Sequence, residues 1–214
     1  MATLRQSSAA AFLPKKRTLA SLRAAARSCK GCDLYKNATQ TVFGEGPKDA
    51  SVMLVGEQPG DMEDRQGRPF IGPAGRLLDK ALAEARIPRA EVYVTNAVKH
   101  FKWIQRGKRR MHQKPLIRQV VACKPWLEAE FEVIHPKVVV CLGATAAQSL
   151  LSRVVRITQE RGKFFNSEFG AAVFVTIHPS FLLRIEDKSD KEREYKNFVA
   201  DLRRAARLLA DQAA

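Results

Sequence analysis

The stretch Ser51-Val52-Met53-Leu54-Val55-Gly56-Glu57-Gln58-Pro59-Gly60-Asp61 sets the architecture. Its first five residues form an apolar, β-branched run of strand length, and the glycines and proline behind them close it with a turn. Three more runs share this make-up: Glu91–Thr95, Lys137–Leu142 and Ala172–Ile177. Helical spacing fills the intervals. Leu77, Leu78, Ala81, Leu82 and Ala85 make one stripe over Ala74–Ala85, entered through Pro73 as a first-turn proline. Leu116–Phe131 has the same period, with Pro125 expected to kink or break it. Gly143–Leu151 predicts a short helix, and Tyr195, Phe198, Val199, Leu202, Ala206 and Leu209 recur three or four apart near the end. Strands alternating with helices predict an α/β fold, a parallel sheet covered on both faces. With no internal repeat or linker, residues 18–214 read as one domain, opened by a short helical stretch at Thr18–Ser28. Residues 1–17, polar and basic, are expected to fray.

At 214 residues, 45% apolar and 28% charged, the chain has the material for one ordinary core. Its charge is unusual: 37 Lys plus Arg against 22 Asp plus Glu leave a net +15. Such a surplus points to an anionic partner, nucleic acid ahead of acidic membrane. The longest apolar runs fall far short of the roughly 20 residues that span a bilayer. The N-terminus lacks the apolar core and cleavage site of a secretory signal, so a cytoplasmic protein of the bacterial cytosol or nucleoid is expected. No spare apolar helix face is evident, which predicts a monomer.

Ligands of parallel sheets sit at the carboxyl ends of the strands. Glu57 follows the first strand, Asn96 the second and His178 the fourth. A carboxylate, an amide and an imidazole on one rim suit an enzyme that binds a heterocycle and stabilises charge beside it. Singly, Glu57 is as well read as a helix cap and Asn96 as a turn residue. His135-Pro136 provides an internal control for His178-Pro179: His135 precedes its strand, away from the rim, and reads as structural.

From Val92 to Leu127 there is no acidic residue, while Lys99, Lys102, Arg106, Lys108, Arg109, Arg110, Lys114, Arg118 and Lys124 fall there with Phe101 and Trp103 among them. A solvated face would mix signs, so phosphate contacts with base stacking is the better reading. Cys29 and Cys32 form a close pair, and Cys123 and Cys141 stand apart. This spacing suits an iron–sulfur cluster; zinc and free thiols stay open as alternatives.

Together these residues resemble the iron–sulfur branch of the uracil-DNA glycosylase superfamily, most closely the UdgX type, which becomes covalently attached to DNA. The resemblance runs from about Cys29 to the C-terminal helix. It rests on Gly56–Asp61, Pro69-Phe70-Ile71-Gly72-Pro73-Ala74-Gly75-Arg76, Thr95-Asn96-Ala97-Val98-Lys99, the cysteines and His178-Pro179-Ser180. Gln58 and the loop Gly107-Lys108-Arg109-Arg110-Met111-His112 point to the UdgX type, with Met111 departing from a branched aliphatic residue. The resemblance implies a three-layer α/β/α fold on a four-stranded parallel sheet. It implies excision of a flipped uracil from single- or double-stranded DNA, and a 4Fe-4S cluster on Cys29, Cys32, Cys123 and Cys141. By resemblance Phe70 stacks on the uracil, Asn96 bonds its polar edge, His178 donates to its oxygen and the Gln58 backbone adds a bond. Asp61 and Arg110 belong with the substrate-binding residues, Arg110 holding the loop closed or touching phosphate. The resemblance also implies that His112 takes C1′ of the sugar in place of water, as a neutral imidazole favoured by Lys108, Arg109 and Arg110, with Glu57 accepting its proton or orienting it; without it, His112 reads as a phosphate contact in a basic loop. The alternatives are a conventional multiple-turnover glycosylase using water and, further off, a non-enzymatic iron–sulfur nucleic-acid binder.

Overall fold

A computed structural model describes residues 8–211 of the chain. Four parallel strands form the centre: β1 (Val52–Gly56), β2 (Val92–Asn96), β5 (Val138–Leu142) and β7 (Ala172–Thr176). A short strand, β6 (Phe164–Asn166), pairs antiparallel with β7, so the expected four-stranded sheet has five strands in the order β2-β1-β5-β7-β6. β6 escaped the sequence reading because three residues, none fully buried, carry no period. A separate hairpin, β3 (Trp103–Arg106) and β4 (Arg109–His112), occupies the basic loop. Its two-residue turn starts at Gly107, whose φ of 58° supplies the positive dihedral such turns need.

Eight helices complete the described chain: α1 (Leu19–Ala26), α2 (Asp61–Gln66), α3 (Pro73–Glu84), α4 (Ile117–Ile134), α5 (Ala144–Leu151), α6 (Ile157–Glu160), α7 (Pro179–Leu183) and α8 (Lys188–Asp211). Alternate strand residues face opposite layers. Leu54, Val94, Val140 and Phe174 pack with Leu78 and Leu82 of α3 and Phe198 and Leu202 of α8. Met53, Val55, Cys141 and Val175 pack with Leu127 and Phe131 of α4 and Leu150 of α5. This is a three-layer α/β/α sandwich.

α4 runs through Pro125 as one helix, so the proline does not break it. The missing N–H leaves the carbonyl of Val121 without its helical partner, and Val121 is exposed, where water can satisfy it. The outer side of α4 builds a third core with α1 and the segment before β1, including Leu22, Phe43, Val98 and Trp126. Ala9 is buried there in a short 3-10 turn, Ala9–Phe12, so the stretch expected to fray is packed from there; residues 1–7 lie outside the described ones. Ile117 and Val121, 67% and 56% exposed, form a small apolar strip at the start of α4. Among the described residues no helix is long and apolar enough to cross a membrane.

Leu202 is fully buried between α8 and the sheet. Leu202→Ala should cost about 2–5 kcal/mol of stability in denaturant melts, through lost transfer energy plus a residual cavity. A cost below about 1 kcal/mol would show that α8 is not a fixed layer.

Candidate active site

A cleft of about 960 Å³ opens at the carboxyl end of the sheet, lined by Glu57, Gln58, Phe70, Asn96, His112 and His178 among others. It lies where strand order reverses, β2 having been laid on one side of β1 and β5 on the other. The three residues singled out at strand ends, Glu57, Asn96 and His178, therefore meet.

Asn96 ends β2 in register with Gly56 of β1. A Cβ at position 56 would stand 2.4 Å from Asn96 Oδ1 and 2.6 Å from Phe70 Cζ, so glycine is what lets amide and ring approach. Phe70 takes a left-handed φ of 55°, strained for an aromatic residue. Gly75 accommodates that bend, because a Cβ there would collide with the Phe70 carbonyl at 1.7 Å. The Phe70 and His178 rings stack with centroids 6.1 Å apart.

His178 caps α7. Its Nδ1 accepts from the Ser180 N–H at 3.1 Å, which places the ring proton on Nε2. Burial, then the neighbouring His112 and Arg184, pull its pKa down to about 4, so it is a neutral donor at pH 7. Glu57 accepts from the Thr145 hydroxyl of α5 with one oxygen, and the other lies 3.4 Å from His112 Nε2. Thr145 carries no signal in the sequence, because a threonine in the first turn of a helix reads as an ordinary helix-start residue. His112 has a lowered pKa as well. Burial is the main cause, opposed by Glu57 and aided by Arg184. The hairpin cations expected to do this do not.

Those cations have other partners or face solvent. Arg110, 11% exposed, ion-pairs with Asp61 and Asp64 of α2 and bonds Thr39 Oγ1 at 3.1 Å. Its guanidinium lies over the rings of Phe101 and Trp103 at 5.5 and 5.3 Å. Asp61, expected to bind substrate, lines the cleft and is bonded to Arg110 and Arg65, which hold its carboxyl below the usual range against the cost of burial. Phe101 is buried and cannot stack on bases, whereas Trp103 is half-buried, its indole N–H bonded to the Asn37 carbonyl at 2.9 Å. Lys99 is buried against Glu130, and Lys124 pairs with Glu128 and Glu168. Arg106, Lys108, Arg109 and Lys114 remain exposed for phosphate. Gln58 does more than its backbone suggested: its amide bonds the Lys102 and Gln113 carbonyls at 3.2 and 3.0 Å and accepts the Lys102 N–H at 3.1 Å. It thus ties both feet of the hairpin to the end of β1.

Residues 43–203 match the family model of the uracil DNA glycosylase superfamily. The chain belongs to that superfamily. It is 40% identical over 159 residues to a type-4 uracil-DNA glycosylase of Thermotoga maritima, covering 74% of this chain and 79% of that protein. Type-4 uracil-DNA glycosylases of Sulfurisphaera tokodaii and Archaeoglobus fulgidus are 36% and 35% identical. These matches cover 73% and 79% of this chain and 71% and 85% of theirs.

In this superfamily member three of the four cysteines, Cys29, Cys32 and Cys123, share the third core, outside α4. The Trp126 indole N–H donates to Cys29 Sγ at 3.2 Å and the Lys99 N–H to Cys123 Sγ at 3.3 Å. Cys141 does not join them. It sits mid-sheet in β5, between Val55 and Val175, on the inner side of α4. Strand register decides this: Cys141 shares its face with Val139, and that face is covered by α4 and α5. Among the described residues no three His, Cys, Asp or Glu side chains stand at the spacing of a single-ion site. A cluster is wider than one ion, and three buried thiols with N–H donors aimed at two of them suit it.

A ring NMR titration should find His178 as the Nε2–H tautomer, protonating only near pH 4, with His112 below its ordinary 6.5. Below pH 6.5 an unfolded chain takes up the proton that half-buried His178 refuses. Stability should therefore fall between pH 6.5 and about 4 by on the order of 2–3 kcal/mol from this group. An ordinary midpoint for His178 would refute the neutral donor.

Proposed function

We propose that the protein excises uracil from DNA in repair and is then captured on its product through His112, the UdgX-type outcome. The observation that carries this is His112 Nε2 facing Glu57 Oε1 at 3.4 Å, on a hairpin pinned by Gln58 and Arg110. A flipped uracil stacks on Phe70, bonds Asn96 and takes the Nε2–H of His178 at the oxygen that gains charge as the base leaves. Single-stranded or mispaired uracil is favoured, since flipping it costs least. Cleavage of the N–C1′ bond sends its electron pair to uracil and leaves an oxocarbenium-like sugar, which the Glu57 carboxylate stabilises.

Against the Glu57 carboxylate His112 rests with its proton on Nε2; it reacts once exchange with solvent has moved that proton to Nδ1, when the freed Nε2 lone pair turns to C1′ and bonds it. The alkylated ring then loses its Nδ1 proton to solvent and becomes a poor leaving group, so turnover ends after one event. Lowering of the His112 pKa keeps that lone pair available at pH 7.

Boiling in SDS after mixing with a labelled uracil oligonucleotide should leave a uracil-dependent shifted band. His112→Ser should abolish the band and restore multiple-turnover excision with water. No band but alkali-labile sites from the native chain would instead make it a conventional glycosylase, as the type-4 names of its relatives suggest. Loss of all base release in His112→Ser would mean His112 serves cleavage itself.

Cys29, Cys32 and Cys123 would hold the iron–sulfur cluster, which pins α1 to α4 and supplies no step of the reaction. Burial raises the Cys32 thiol and pushes Cys123 up to about 12, so iron, by displacing their protons, would relieve a fold that disfavours bare thiolates. His100 would be the fourth donor in place of Cys141. It is a buried imidazole, brought down to about pKa 4 by burial, directly after the residue whose N–H meets Cys123. Cys141→Ser should therefore keep the brown colour and iron content, and Cys123→Ser or His100→Ala should lose them. Loss of iron in Cys141→Ser alone would reverse this assignment.

A further inference from the structure

The motif Thr95-Asn96-Ala97-Val98-Lys99 ends on a lysine whose charge the pocket does not use. Lys99 and Glu130 are both wholly shielded from solvent, with Nζ and Oε2 2.6 Å apart. Burying two charges costs more than their attraction commonly returns, and an apolar pair of equal volume is often as stable. The geometry of the remaining bonds shows what the pair does. Lys99 Nζ has three donors and three acceptors: Glu130 Oε2, Thr95 Oγ1 at 2.6 Å and the Asn96 carbonyl at 2.9 Å. Glu130 Oε1 accepts from Tyr93 Oη at 2.9 Å, Thr95 Oγ1 at 3.0 Å and the Gly44 N–H at 3.2 Å.

Asn96 stands where the ladder between β1 and β2 ends. The next N–H, of Ala97, still bonds the Gly56 carbonyl at 2.9 Å, but the Asn96 carbonyl turns inward, to the ammonium. Lys99 is itself anchored at both main-chain atoms. Its N–H meets Cys123 Sγ and its carbonyl accepts the Val42 N–H at 2.8 Å.

We infer that Lys99 and Glu130 are a positioning couple for Asn96, holding its peptide so that the side-chain amide faces the base, and joining that amide mechanically to the cysteine-rich core. This rests on the reading of Asn96 as the residue that bonds the base. A lone Lys or Glu left in place would be an unpaired buried charge, so both change in the test variant, Lys99→Met/Glu130→Gln.

In single-turnover assays at saturating protein, this variant should excise uracil about 100-fold more slowly, the loss typical of one mis-set transition-state donor. Affinity for the oligonucleotide, carried by exposed hairpin cations, should stay within about two-fold of the parent chain. Leu202→Ala, destabilised by a core cavity at a residue that does not line the cleft, should excise at the parental rate well below its melting temperature. That comparison separates positioning from loss of fold. A parental rate in the double variant beside a crippled Asn96→Ala would overturn the inference and leave the Asn96 reading intact. A parental rate in Asn96→Ala would remove that reading itself. Should the double variant not fold, Thr95→Val takes away the hydroxyl shared by both charges while leaving them paired. A drop of about ten-fold there supports the couple, and an unchanged rate overturns it.

Discussion

Burial of four parallel strands on both faces is the constraint from which the rest follows. Val52–Gly56, Val92–Asn96 and Val138–Leu142 are buried at every position, so almost none of their side chains can be polar unless paired. Chemistry is pushed to the strand ends, where Glu57, Asn96, Thr145 and His178 leave the sheet within a few residues of its last ladder bonds. Parallel register brings those ends to one rim, and the glycine at position 56 lets the rim close to ring-and-amide contact.

The histidine on the hairpin is held differently. His112 belongs to no layer of the sandwich, and its position depends on polar anchors: Gln58 at the feet, and Arg110 between two aspartates and two aromatic rings. These anchors absorb residues that the composition offered to DNA. Positive charge in the sequence is thus not all charge on the surface, since Lys99, Arg110 and Lys124 are spent inside or against carboxylates. What remains exposed, Arg106, Lys108, Arg109 and Lys114, lies on the hairpin and just beyond it, beside the cleft. A ligand drawn by that charge therefore arrives next to His112.

α4 separates two environments. Leu127 and Phe131 face the sheet, and Cys123 and Trp126 face the outer core with α1. Bonds from Trp126 and Lys99 to sulfur cross that outer core, and Lys99 joins it to the strand end at the cleft.

Apolar period and turn residues alone gave a parallel sheet covered on both faces, its four central strands to within a residue or so, and Glu57, Asn96 and His178 on one rim; Phe70 and His112 joined them only through the family resemblance. These features are legible because period and strand ends are local properties that a parallel sheet turns directly into place. β6, the continuity of α4 through Pro125, and the partners of Asp61, Arg110, Phe101 and Trp103 were not, because each depends on what a distant segment presents. Cys141 shows the limit most plainly. Its residue type fitted a ligand set, but which side of α4 it occupies is fixed by strand register and helix packing. Local pattern decides which groups a chain carries to its strand ends; only long-range packing decides which of them are already paired when a ligand arrives.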